Sequence, residues 1–153
     1  LRDLLSVTDL KPADMPEDAQ PHASTTGITY AYAGGVAAAV KRTLEKLNPH
    51  RKIKLQTGKA DGVPVCKAMI NDILEGRSDG NFFEGMGCIG GCVGGPRAII
   101  PKEEGKKCVQ TYADSSAFET PMENSYVIGM LKELGFNTVE DFLTKSHLYD
   151  RQF

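Results

Sequence analysis

Glu84-Gly85-Met86-Gly87-Cys88-Ile89-Gly90-Gly91-Cys92-Val93-Gly94-Gly95-Pro96 is the stretch on which the reading of this chain turns. Two of the four cysteines stand here, four positions apart, among six glycines. Thiolates are soft ligands that suit iron–sulfur clusters or zinc. Glycine allows positive φ and lets backbone come close to a bulky inorganic group. The pattern therefore reads as a cofactor cradle. Spacing alone leaves a second reading open, in which both cysteines are reduced, unliganded thiols in a turn. A disulfide fits poorly with a chain that carries no mark of secretion. A structural zinc site wants four ligands in close pairs. The remaining Cys66, Cys108, His22, His50 and His147 offer no such spacing.

The string resembles the third cluster-binding signature of the iron-only, or [FeFe], hydrogenases, Glu-x-Met-x-Cys-x-Gly-Gly-Cys-x-x-Gly-Gly. Glu84, Met86, Cys88, Gly90, Gly91, Cys92 and Gly95 all fall in place. Two further segments resemble the same family. Leu1-Arg2-Asp3-Leu4 is similar to a Thr-Arg-Glu-Leu segment. Thr26 to Gly35 is similar to a Gly-x-x-x-Phe-Gly-x-x-Gly-Gly-Val segment.

The resemblance implies a catalytic H-cluster, a [4Fe-4S] cubane joined through one cysteine sulfur to a two-iron unit carrying CO and CN. It implies metal ligation by Cys88 and Cys92, with Cys92 as the bridge. It also implies cofactor contacts from Met86, Gly90 and Gly91, with Cys92 and Met86 nearest the chemistry and Glu84 holding the loop by hydrogen bonds. The expected function is reversible reduction of protons to H2, as part of a ferredoxin-type enzyme. The chain departs from the family after Gly95, where Pro96-Arg97-Ala98 replaces a third glycine and Gln-Pro. The family's Thr-Ser-Cys-Cys-Pro and Met-Pro-Cys-x-x-Lys signatures, which supply two more cubane ligands, do not occur. Residues 1–153 are accordingly expected to be the C-terminal lobe of the catalytic domain. That lobe would be inactive and free of cluster alone, and would be partnered by the upstream half of the same domain and by an electron carrier such as ferredoxin.

The chain has 153 residues and a net charge of −2, with ordinary apolar and charged content. That length suits one domain with its own core. The charge gives no reason to expect nucleic acid. No apolar run suggests a membrane span, and no signal peptide opens the chain. The expectation is a cytoplasmic protein.

Along the chain, Leu1 to Leu5 reads as a short helix and Lys11 to Gln20 as a proline-rich surface loop. Gly34-Gly35 opens a helix over Val36 to Leu47 with Val36, Val40, Thr43, Leu44 and Leu47 as its apolar stripe. Lys52 to Thr57 alternates like a strand, and Gly58 to Gly62 reads as a turn. Val63 to Leu74 reads as a second helix packing through Val65, Ala68, Met69 and Leu74, with Cys66 as a small buried hydrophobe. Asn81 to Glu84 is a strand that delivers the cysteine loop. Helix and strand alternating in this way predict an α/β fold, a small parallel sheet flanked by helices, with the cysteine loop at the carboxyl end of its strand.

Lys102 to Lys107 reads as a solvated turn or helix start, with Cys108 after it as a structural residue. Asp114 to Glu119 is a polar connection with room to move. Met122 to Leu134 reads as a third long helix with Tyr126, Val127, Met130, Leu131 and Leu134 on its buried face. Gly135 caps it, a short helix follows over Thr138 to Leu143 with Asn137 or Thr138 as its cap, and a frayed tail runs from Lys145. Rival functions are an H2 sensor built on the same cluster domain, an iron–sulfur assembly factor of the same fold, and a plain zinc or thiol-redox module.

Overall fold

The computed structural model describes residues 2–16 and 23–147, so the readings of Glu17 to Gln20, His22 and the tail beyond His147 lie outside the described residues. The described residues form a mixed α/β structure with seven α-helices and one two-stranded parallel sheet, as the alternation predicts. The helices are α1 Arg2–Val7, α2 Thr25–Ile28, α3 Gly35–Leu47, α4 Val63–Leu74, α5 Lys102–Asp114, α6 Ser125–Glu133 and α7 Val139–Lys145. The strands are β1 Thr57–Asp61 and β2 Phe82–Met86, joined by α4. They pair in register from Thr57 with Phe82 to Asp61 with Met86. No described helix is long and apolar enough to cross a membrane.

The first strand lies later than its sequence suggests. Residues 51–56 make turns and irregular chain, and Ile53 is exposed, while the supposed turn at 58–62 carries the ladder. The reason is packing across the pair. A Cβ at Gly58 would stand 2.7 Å from the Phe83 ring, so glycine is what lets that ring lie over β1.

Two faces of the sheet are distinct because side chains alternate along a strand. Phe83 and Gly85 face α4, and Gly85 lies against the Cys66 sulfur. Glu84 faces α3. The residue is only 6% exposed, and its carboxylate accepts from the Gly34 N–H at 2.8 Å and from the Ala37 N–H at 2.7 Å. An anion at a helix N-terminus satisfies donors that the helix itself leaves unpaired. Glu84 therefore fills the anion position at the start of α3.

Among the described residues the buried apolar ones are Ala37, Ala39, Ala60, Ala113 and Leu131, four of them alanines. The stripe expected on α3 is half-buried, and much of it lines an open apolar cavity of about 530 Å3 with Leu131, Phe142 and Leu143 of α6 and α7. Helix α4 has the expected limits but no fully buried residue: Val65, Ala68 and Leu74 are exposed, and only Cys66, Met69 and Asp72 are half-buried. On α6, Leu131 is buried and Val127 half-buried, but Tyr126, Met130 and Leu134 are exposed.

Polar ties do much of the joining. Helix α6 starts at Ser125 because Asn124 caps it, accepting from the Tyr126 and Val127 amides. The Glu123 carboxylate turns back to accept from the Glu119 and Thr120 amides, so residues 121–123 form a turn ahead of the helix. The segment expected to move, Asp114 to Glu119, is bound to α2. Thr25 donates through its hydroxyl to Ala113 and Phe118 carbonyls, and Ser116 donates to the Ala23 carbonyl. Of Asn137 and Thr138, the two caps the sequence offers, Thr138 caps α7, accepting from the Asp141 amide.

Arg42 and Lys46 of α3 pair with Glu119, and Lys46 also pairs with Glu123. The Lys46 ammonium is the main cause holding both carboxyls below the usual 4.5, and Glu123 then Glu119 raise Lys46 above 10.5. Lowered carboxyl values mean stability that is present above 4.5 and lost as pH falls through the folded values. The raised ammonium value means stability present below 10.5 and lost as pH rises through its folded value. The thermal midpoint of Lys46→Met should therefore lie below that of the unmutated chain at neutral pH, with the gap closing as pH falls below 4.5 through the folded carboxyl values; a gap independent of pH would contradict the pairing. Replacing Glu84 by Ala should cost about 3 kcal/mol in urea unfolding, since one buried and one part-buried amide lose a charged acceptor, and Glu84→Gln about 1 kcal/mol.

Candidate functional site

The cysteine loop, residues 87–95, leaves the sheet at Met86, the last residue of β2. It sits at the carboxyl ends of both strands, as sequence reasoning placed it. Three ties hold it. Gly62 donates to the Met86 carbonyl at 2.8 Å. The Asp61 carboxylate, at the end of β1, accepts from the Gly90 amide in a short hydrogen bond. The Gly90 carbonyl accepts from the Ala33 amide at 3.1 Å. Within the loop, Gly91 donates to the Cys88 carbonyl, and Gly94 and Gly95 donate to Gly91 and Cys92 carbonyls, closing a short 3-10 turn at Cys92–Gly94.

Gly91 is the residue on which this geometry depends. Its φ is +86°, and a Cβ there would stand 2.7 Å from the Ala33 nitrogen and 2.8 Å from the Met86 sulfur. Any side chain would thus be strained and would collide with backbone. The Met86 thioether lies beneath the loop against Gly91, half-buried. Gly90 is occupied on both of its polar backbone groups by Asp61 and Ala33.

Both loop thiols are free, Cys88 half-buried and Cys92 exposed. The Cys88 sulfur lies 3.9 Å from where a Gly95 Cβ would stand. Cys92 lines a cavity between the loop and α5, together with Arg97, Ile100 and Cys108. Cys66 is not simply a buried hydrophobe. Its thiol is half-buried and donates to the Met86 carbonyl at 3.3 Å and the Ala60 carbonyl at 3.6 Å, stitching α4 to the ends of both strands. His50 and His147 are exposed.

Among the described residues no group of three or more Cys, His, Asp or Glu side chains is placed to hold a metal ion. The donor set present is two free thiols on one hydrogen-bonded loop. That suits part of a four-thiolate iron–sulfur site and does not suit a complete one. Sequence reasoning missed Asp61 and the Tyr32-Ala33 backbone as supports of the loop. The signal for Asp61 was its place just before Gly62, whose φ is +84°, but the segment read as a turn.

No curated protein matches the chain. The family model described as the iron only hydrogenase large subunit, C-terminal domain, matches residues 1–96. The match takes in both strands, α1 to α4 and the whole cysteine loop, and it ends at Pro96, where the departure from the signature begins. More than half of the chain is matched, and it belongs to the family defined by the C-terminal domain of the iron-only hydrogenase large subunit.

Proposed function

We propose that this chain is the cluster-binding C-terminal lobe of an iron-only hydrogenase that reversibly reduces protons to H2, with Cys88 and Cys92 as two of four thiolate ligands. The observation that carries the reading is the pair of free thiols on a glycine loop tied to the ends of two parallel strands, within the matched family stretch. When bound, a [4Fe-4S] cubane joined to a two-iron unit with CO and CN supplies the electron and proton chemistry.

The chain's own residues bind and position. Cys88, half-buried, would hold a cubane iron; Cys92, exposed, would be the sulfur that bridges toward the two-iron unit. Glu84 and Asp61 fix where the loop starts and turns. Gly90 and Gly91 keep the loop free of side chains, and Met86 fills the space under it with a soft, uncharged group. In this reading the protein works in the cytoplasm, where thiols stay reduced.

The missing ligands come from the upstream half of the same domain. Two features support such a partner. Parallel sheets are ordinarily covered on both faces and built from more than two strands. Here the sheet has two, and Val63, Val65, Ile70, Ile73 and Leu74 of α4 are exposed. An electron carrier such as ferredoxin would serve the complete enzyme, and this lobe alone would be inactive. One observation favours a second reading as an H2 sensor: the family match ends where Pro96-Arg97 replaces the usual exit.

Infrared spectra and H2 turnover of the complete protein test both. The enzyme reading expects CO and CN bands together with turnover, and loss of both in Cys92→Ala. Bands with negligible turnover would select the sensor. Iron-loaded protein without such bands would overturn both.

A further inference from the structure

We propose that Lys102, the first residue of α5, is a positioning residue for the cysteine loop, holding it with its methylene stem and placing a positive charge beside it. The stem lies on the loop. A Cβ at Gly90 would stand 3.2 Å from the Lys102 Cδ, 3.9 Å from its Cγ and 3.7 Å from its Cβ. A Cβ at Gly94 would stand 3.5 Å from the Lys102 Cβ. One side chain thus touches the loop between its two cysteines and again just past the second. Asp61 and Ala33 hold Gly90 by its backbone groups, and Lys102 covers it where a side chain would be.

The packing of α5 fixes where that stem starts. The helix rests on the Cys92–Gly94 turn through Gly105, where a Cβ would stand 3.3 Å from the Val93 Cβ. Glycine is a poor helix former, and here its missing side chain lets the helix come close. Lys102 precedes Gly105 by three positions and so stands on the same helix face. Local preference argues against a lysine at this position, because the start of a helix favours negative charge. Glu103 and Glu104 follow that preference and Lys102 breaks it. Its ammonium pairs with Glu103 at 3.7 Å, but that carboxylate is 77% exposed, and so solvated a pair contributes little. The contacts with Gly90 and Gly94 are made by carbons, as when a lysine covers a surface with its stem and keeps its charge toward water.

Lys102 lies beyond the matched family stretch, so its contact with the loop does not follow from family membership. The stem's role needs no metal, since the loop is already in place under it. The charge's role rests on the cluster-binding reading given above. An iron–sulfur site gains negative charge on reduction, and a cation beside it favours the reduced form. Lys102 would thus leave Cys88 and Cys92 free to bind iron while it holds the backbone between them and raises the potential of what they bind.

Amide hydrogen exchange on the metal-free chain and redox titration of the complete protein test the two roles. Lys102→Ala removes Cγ and Cδ. The Gly90, Gly91 and Gly94 amides should then exchange about tenfold faster, the factor expected when roughly two methylenes lose their cover. The Gly34 and Ala37 amides should keep their rates. Lys102→Met keeps a stem of similar reach and should leave the loop amides unchanged. In the complete protein Lys102→Met should lower the midpoint potential of the cluster, and Lys102→Arg should match the unmutated protein. Loop amides unchanged in Lys102→Ala, or accelerated together with Gly34 and Ala37, would overturn the stem's role. An equal midpoint in Lys102→Met and the unmutated protein would overturn the charge's role. A complete protein that takes up no iron–sulfur cluster would overturn the cluster reading and the charge's role together, and exchange on the metal-free chain would still decide the stem's.

Discussion

The carboxylate of Glu84 is the interaction on which the rest of the structure depends. A buried carboxylate is costly unless its oxygens find donors. This one finds two, both at the start of α3, where free amides and the helix dipole favour an anion. The bond runs between elements about fifty residues apart in sequence and fixes β2 against α3. The cysteine loop begins three residues after Glu84, so its starting point inherits that position. Asp61 repeats the device one strand over, reaching from the end of β1 to the Gly90 amide. Two carboxylates, each bonded to backbone amides, thus orient a loop whose own side chains are few.

That arrangement matters because the interior is thin. Alanines dominate the buried apolar set, and the large apolar side chains of α4 stay exposed. Hydrophobic stabilisation scales with the apolar area removed from water, and alanine removes little. The described residues compensate with polar joints: Thr25 and Ser116 between α2 and the 114–119 segment, Asn124 under α6, and Lys46 between α3 and the glutamates at 119 and 123.

Much of this was legible in the sequence. The limits of α4 followed from Pro64 near its start and the break that Gly76 opens, and α7 from the two capping candidates Asn137 and Thr138, of which Thr138 caps. Glu84, Met86 and the paired glycines marked the loop, and its place at a strand's carboxyl end followed from the alternation of elements. What was not legible depends on contacts distant in sequence. Gly58 and Asp61 look like turn residues until Phe83 and Gly90 are beside them. Glu123 looks like the first turn of a helix until its carboxylate is seen bonded backward to residues 119 and 120.

The central claim is that the loop is set in place by these carboxylates before any metal arrives. Amide hydrogen exchange on the metal-free chain tests it most directly. The account predicts that the Gly90, Gly91, Gly94 and Gly95 amides are protected to a degree comparable with Gly34 and Ala37, because their acceptors are already in position. Loop amides exchanging at the rate of free chain while the start of α3 stays protected would contradict it.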